Sequence, residues 1–347
     1  MDVQTLLADP CWLAHRHVEG ADAVRFVRLE RADHGAVPFL SEEHLRDRRV
    51  GGDVALERCL ALSGEAPGGG PLHFLFHSAF CGSTTLVRAL DQPGVAMGLS
   101  EPQLLNDVVG LRRRGSDPRL VARTADAATR LLARPFAPGE AVVVKPSNVI
   151  NPLAALLLAL RPAAQAVFLF APLETFLISV ARKGLHCRAW ARELLEGFLR
   201  DGELAGIGLE PDQLFRLTDL QVAAIGWLLQ HRMMHRLLAR LGPQRVATLD
   251  ADLMFAAPEA ALARVAAHYG LPLGPERCRA IAAGPAFGTR VKSGEAYSPA
   301  ARARDYAAVR SAYGEEIDMV LVWARAVAEA AQIALAAPNP LLAPGQV

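Results

Sequence analysis

The sequence predicts an α/β fold, a parallel β-sheet covered by helices on both faces. Two observations carry this. Four short runs (Leu72–His77, Ala141–Lys145, Ala166–Phe170 and 245–249) are apolar without alternation, as strands buried on both faces are. Long amphipathic stretches separate them, notably 212–241 and Pro258–Tyr269, and strands alternating with helices are the pattern of a three-layer parallel sheet. A third observation locates a site: a helix over 84–90 opens directly from the first run through a turn of small residues.

Taken in order, residues 23–29 (AVRFVRL) alternate like a half-buried strand, and Pro38-Phe39-Leu40 leads into a charged helix over 41–49. The Gly/Pro-rich stretch 64–71 is a loop and the boundary. Residues 1–70 are therefore expected as a small N-terminal extension packed on a main domain of 71–347. Beyond the fourth run, the segment 298–337 is Ala-rich and mostly helical, and no internal repeat is found.

Composition narrows the function classes. The 347 residues are 52% hydrophobic and carry a net charge of +1, with acids and bases interspersed, so a nucleic-acid partner is not expected. Five scattered cysteines without a CxxC pair fit a reducing cytoplasm and argue against a disulfide scaffold or structural zinc. The start MDVQTLLADP has no signal-peptide pattern, and the longest apolar run, 153–160, is too short to span a bilayer. A soluble, cytoplasmic protein with no membrane partner is expected. Basic residues are almost all arginine, with three lysines, Lys145, Lys183 and Lys292. Lysine is a compact point charge that arginine does not replace everywhere, so these positions are singled out.

The turn runs His77-Ser78-Ala79-Phe80-Cys81-Gly82-Ser83-Thr84-Thr85. A strand ending in such a turn and opening a helix arranges backbone N–H groups around an anion, with the helix dipole behind them. An ordinary strand–turn–helix connection with a hydroxyl cap stays open as the alternative. A Walker A loop does not fit, because Ser83 holds the lysine position and His77 the first glycine. A cysteine-phosphatase loop fits poorly, since Arg88 follows Cys81 one residue too late to face the same phosphate; Cys81 is better read as a small loop residue. His231 and His235, four apart on a helical stretch, have no third ligand nearby and read as a polar helix face, with Trp227, Leu228, Met233 and Met234 as core.

From Phe80 to Leu86 the loop resembles that of the sulfotransferases that use 3′-phosphoadenosine 5′-phosphosulfate (PAPS), which keep Ser/Thr where the NTPases keep lysine. The likeness continues through Arg88-Ala89-Leu90-Asp91 and Pro93 to Glu101-Pro102, as in the bacterial and tyrosylprotein-type branch. Lys145-Pro146 resembles the family's Lys-x-Pro element, Ala171-Pro172 to Ser179 its 3′-phosphate segment, and the stretch 249–258 (LDADLMFAAP) its "EDL…dP" segment. Two positions depart: the loop's basic residue is Phe80, and the 3′-phosphate arginine is Ala171.

The resemblance implies a P-loop NTPase-like fold and sulfuryl transfer from PAPS, leaving 3′,5′-adenosine bisphosphate, without a metal. The acceptor would be a hydroxyl or amine on a small molecule or peptide, and a homodimer is compatible. Glu101 is the implied general base and Lys145 the sulfuryl contact. Cys81, Gly82, Ser83, Thr84 and Thr85 are the implied loop contacts. Ser179, Arg182, Lys183 and Lys292 would complete the nucleotide site, with Tyr297-Ser298 in the loop that closes over it. Two alternatives remain: a nucleotide- or phosphate-binding protein of this fold that no longer transfers sulfate, and another P-loop enzyme such as a kinase.

Overall fold

A computed structural model describes residues 2–63, 70–289, 298–343 and 345. Most of the boundary loop, together with Lys292 and Tyr297, lies outside the described residues.

Five parallel strands form the central sheet: β4 (Leu72–His77), β5 (Ala96–Ser100), β6 (Ala141–Lys145), β7 (Ala166–Phe170) and β8 (Val246–Asp250), in the order β5-β6-β4-β7-β8. All residues of β4, β5, β6 and β7 are buried, as continuous apolar strands between two helix layers must be. The expected α/β fold, P-loop-like with a parallel sheet flanked by helices, is therefore present. Strand β5 (AMGLS) escaped the pattern because glycine and serine break its apolar run.

The strand order places the site. From the central β4 the chain steps over β6 to the far edge, and every later connection runs the opposite way. Because parallel crossovers are right-handed, the helices after β4 and after the other strands fall on opposite faces. Ligands in such sheets bind in the crevice at the carboxyl ends where the connections diverge. That crevice is bounded by the loop after β4, which opens the helix Ser83–Leu90.

The first 63 residues add an antiparallel sheet of β1 (Trp12–Val18), β2 (Ala23–Arg28) and β3 (Val50–Ala55), in sequence order. Strand β1 was hidden by its polar centre: His15 pairs with Glu42 at 2.9 Å, and the His17 backbone N–H donates to Asp107 at 2.8 Å. The helix expected over 41–49 is cut to Glu42–Leu45, because the following residues form β3 on the edge of β2. Both sheet edges are covered. Leu40 N–H donates to Ser100 O at 2.7 Å beside β5, and Thr248 of β8 pairs with the tail at Asn339 and Leu341. Between these ends the C-terminal helix runs over Pro299–Ala330.

Arg134 ties the extension to the rest of the chain. Its guanidinium donates to Leu6 O and Leu7 O at 2.9 Å and to Trp12 O at 2.6 Å, and burial pulls its pKa down to about 10. Arg134→Met leaves these carbonyls without a donor, at about 1–3 kcal/mol for each buried group left unsatisfied. The expected result is a lower urea midpoint and earlier proteolysis before residue 63; an unchanged midpoint would show that water replaces the guanidinium.

Candidate functional site

A cavity of about 830 Å³ opens at the carboxyl ends of β4, β5 and β6. Of the residues singled out from sequence, Gly82, Ser83, Thr84, Thr85, Glu101, Lys145, Ser179, Arg182 and Lys183 all line it. Cys81 does not: it is buried behind the loop, where burial raises its thiol pKa. A protonated thiol is a poor nucleophile, and Arg88 is spent on Val37 O at 2.9 Å, so neither partner of a cysteine-phosphatase site faces the cavity.

The loop is held open by backbone strain. Ala79 (φ 71°), Phe80 (φ 52°) and Gly82 (φ 78°) are left-handed, and a residue with a Cβ carries a penalty of roughly 1–2 kcal/mol there. The N–H groups of Gly82, Thr84 and Thr85 find no acceptor among the described residues, and the side chains of Ser83, Thr84 and Thr85 line the cavity beside them. Amides without a protein acceptor at a helix start can form an anion-binding concavity.

Beneath the loop, a buried polar network fixes it to neighbouring elements. Ala79 N–H donates to His77 Nδ1 at 3.0 Å, which leaves the ring proton on Nε2, donated to Pro146 O at 3.0 Å. Asn151 donates to His77 O and to Gln230, which in turn reaches Ser78 O. Ser78 Oγ accepts from Ala171 N, and Trp227 donates to Ala171 O at 2.8 Å. Ala171 is thus sealed in the core, where an arginine has no room to face the cavity.

Opposite the loop stands a carboxylate–ammonium pair. The β5–β6 register puts Ser100 beside Lys145, and Glu101, with φ 52°, turns its backbone N–H onto Lys145 O at 2.6 Å. That strained turn brings the Glu101 carboxylate onto Lys145 Nζ. The Lys145 side chain is 1% exposed against 19% for Glu101, so the ammonium is the more deeply buried partner of the pair. Phe39 lies over this pair, its ring centroid 4.9 Å from Lys145 Nζ.

On the far wall, Ser179 Oγ lies 3.5 Å from Tyr306 OH, Arg182 pairs with Asp305 at 2.7 Å, and Arg302 pairs with Asp252 at 2.5 Å. Lys183 Nζ sits 4.7 Å from the Phe80 ring centroid. Sequence reasoning missed Phe39, Arg302 and Tyr306: an Arg-rich helix hides one useful arginine among many, and an extended Pro-Phe-Leu run has no periodicity to interpret. His231 is not on a polar face. It is fully buried and stacked on Trp227 at 3.5 Å, and its pKa falls to about 3 because burial disfavours the cation. Among the described residues no group of three or more His, Cys, Asp or Glu is placed to hold a metal, and no helix is long and apolar enough to cross a membrane.

Fold and site together define a P-loop-like α/β protein whose loop after β4 shares one cavity with a carboxylate–ammonium pair. No protein-family model and no curated protein matches the chain. Solved structures similar to it include a sulfotransferase domain from the curacin biosynthetic pathway, 16% identical over 65% of this chain and 82% of that one, with a TM-score of 0.38. Sulfotransferase STF9 from Mycobacterium avium is 14% identical over 73% and 79% of the two chains, with a TM-score of 0.43. Sulfotransferase STF1 from Mycobacterium tuberculosis H37Rv is 15% identical over 72% and 78%, with a TM-score of 0.41.

Proposed function

We propose that this protein transfers a sulfuryl group from PAPS to a hydroxyl or amine acceptor. The observation that carries this is the Glu101–Lys145 pair facing an amide-lined loop across one cavity. The residues fit the donor: three amides without an acceptor among the described residues and three hydroxyl side chains lining the cavity suit phosphate oxygens, and the volume lies within the range of about 300–1,000 Å³ usual for small-ligand sites. PAPS supplies the sulfuryl group and a phosphate as its leaving group.

The protein's part is positioning and electrostatics, as in phosphoryl transfer. The loop from Gly82 to Thr85 binds the phosphate end, and Ser179 with Arg182 and Arg302 forms the polar wall toward the other end of the nucleotide. Lys145 steadies anionic oxygens beside the acceptor, while a Glu101 carboxylate oxygen takes the acceptor proton. One observation favours a binder without turnover: from His77 to Val87 the loop has no Lys or Arg.

Thermal unfolding with 3′,5′-adenosine bisphosphate tests the proposal. At a hundredfold excess over Kd, the ligand stabilises by about 2.7 kcal/mol, raising Tm by several degrees. No shift at millimolar ligand would overturn it, and binding without PAPS turnover on any hydroxyl or amine acceptor would leave the binder.

A further inference from the structure

A second cavity, of about 220 Å³, lies outside the site described above. It is bounded by the helices Ala154–Leu160 and Asp219–Leu241 on one face of the central sheet. Phe76 and Phe168, register neighbours on β4 and β7, line it from the sheet. Met233, Met234 and Leu237 line it from the long helix. Apolar walls of this kind favour a ligand with an apolar body, and aromatic rings beside methionine sulfurs favour an aromatic one.

Two polar features interrupt the wall. The first is Asn151, which lines the cavity and is 5% exposed. Its Nδ2 donates to His77 O and to Gln230 Oε1, each at 3.0 Å. Its Oδ1 is buried and has no hydrogen-bond partner among the described residues. An unpaired buried acceptor costs free energy, which a donor on a bound molecule recovers. The second feature is a charged mouth. Arg236 and Arg240 stand six and ten residues beyond Gln230, about 9 and 15 Å along the helix, on the face that carries Met233 and Leu237. Glu203 pairs with Arg236 at 3.3 Å and with Arg232 at 3.9 Å, whereas Arg240 pairs with no acid among the described residues. The mouth is therefore net positive.

We propose that this cavity binds a small aromatic carboxylate carrying a hydroxyl at its far end. The carboxylate meets Arg236 and Arg240, whose planar forks suit it, the ring lies on the apolar wall, and the hydroxyl donates to Asn151 Oδ1. An apolar cavity of about 150 Å³ accepts benzene, so 220 Å³ has room for a ring with two substituents. This assignment does not depend on the sulfuryl donor proposed above.

Titration calorimetry on the full chain compares 4-hydroxybenzoate with benzoate and with 4-hydroxybenzyl alcohol. The ligand is trimmed rather than Asn151, because that side chain also holds the loop through His77 O. 4-Hydroxybenzoate is expected to bind at one site, with benzoate about three- to tenfold weaker for the missing donor and the alcohol weaker by a similar factor for the missing charge. Arg240→Met, at an exposed position, weakens both carboxylates about threefold or more and leaves the alcohol nearly unchanged. Ala155→Phe, which fills the cavity from its wall, abolishes binding of all three. No binding of 4-hydroxybenzoate at millimolar concentration overturns the proposal. Equal affinity for benzoate overturns it too, since water would then serve Asn151. So does an unaffected Arg240→Met, or binding that survives Ala155→Phe and so lies elsewhere.

Discussion

Glu101→Gln is expected to lower PAPS turnover by about 10²–10⁴-fold, the usual contribution of a positioned proton acceptor, with bisphosphate affinity nearly unchanged. The amide oxygen still accepts from Lys145 Nζ, so the contact survives while the proton acceptor and its charge are lost. A stability cost comes with it. Lys145 is the more deeply buried partner, and leaving a buried charge uncompensated costs about 3–5 kcal/mol when the pair is simply broken. Glu101→Ala should therefore destabilise more than Lys145→Met, because the Glu101 carboxylate can still reach water. Combining Glu101→Ala with Lys145→Met recovers part of the loss, since neither charge is then stranded. Rates are compared at temperatures where every variant is folded. Turnover of Glu101→Gln within about threefold of wild type would remove Glu101 from the proton transfer.

Gly82→Ala is the second large effect, directed at the loop rather than the base. Gly82 has φ 78°, and a Cβ there would lie 2.5 Å from Phe255 Cζ and 2.7 Å from its Cε2. Two separate penalties follow: the left-handed conformation, roughly 1–2 kcal/mol, and displacement of a ring wedged between the loop and Phe287. The amides meet an anion only while the loop keeps its shape, so bisphosphate affinity should fall about tenfold for each 1.4 kcal/mol of reorganisation. Adding Phe255→Ala removes the clash and leaves the backbone penalty, so part of the affinity returns. Calorimetry on the single and double variants checks this, and wild-type affinity in Gly82→Ala would show that the loop does not form the anion site.

Much of this was legible from residue order. Strands β4, β6, β7 and β8 announce themselves as apolar runs, because burial on both faces demands apolar residues at every position. The loop shows as small residues between a strand and a helix, since backbone approach to an anion requires them. Glu101, Lys145 and Ser179 stood out through the resemblance to the PAPS-dependent sulfotransferases, and all three line the cavity. Strands β1 and β5 did not show, because their polar or small residues are accommodated by partners distant in sequence: Glu42 and Asp107 for β1, and the segment around Leu40 for β5.

By itself the sequence determined the class of fold and the place of the strand–turn–helix loop, because these depend on local pattern, while the resemblance named the ionisable residues to look for around it. The tertiary structure decided which of those residues meet. Glu101 and Lys145 touch only through the β5–β6 register and a left-handed turn, Lys183 reaches Phe80 through a reversal between helices, and Phe39 arrives from the extension. Side-chain contacts between segments dozens of residues apart depend on register, crossover hand and strained turns. None of these is written in the periodicity of a single segment.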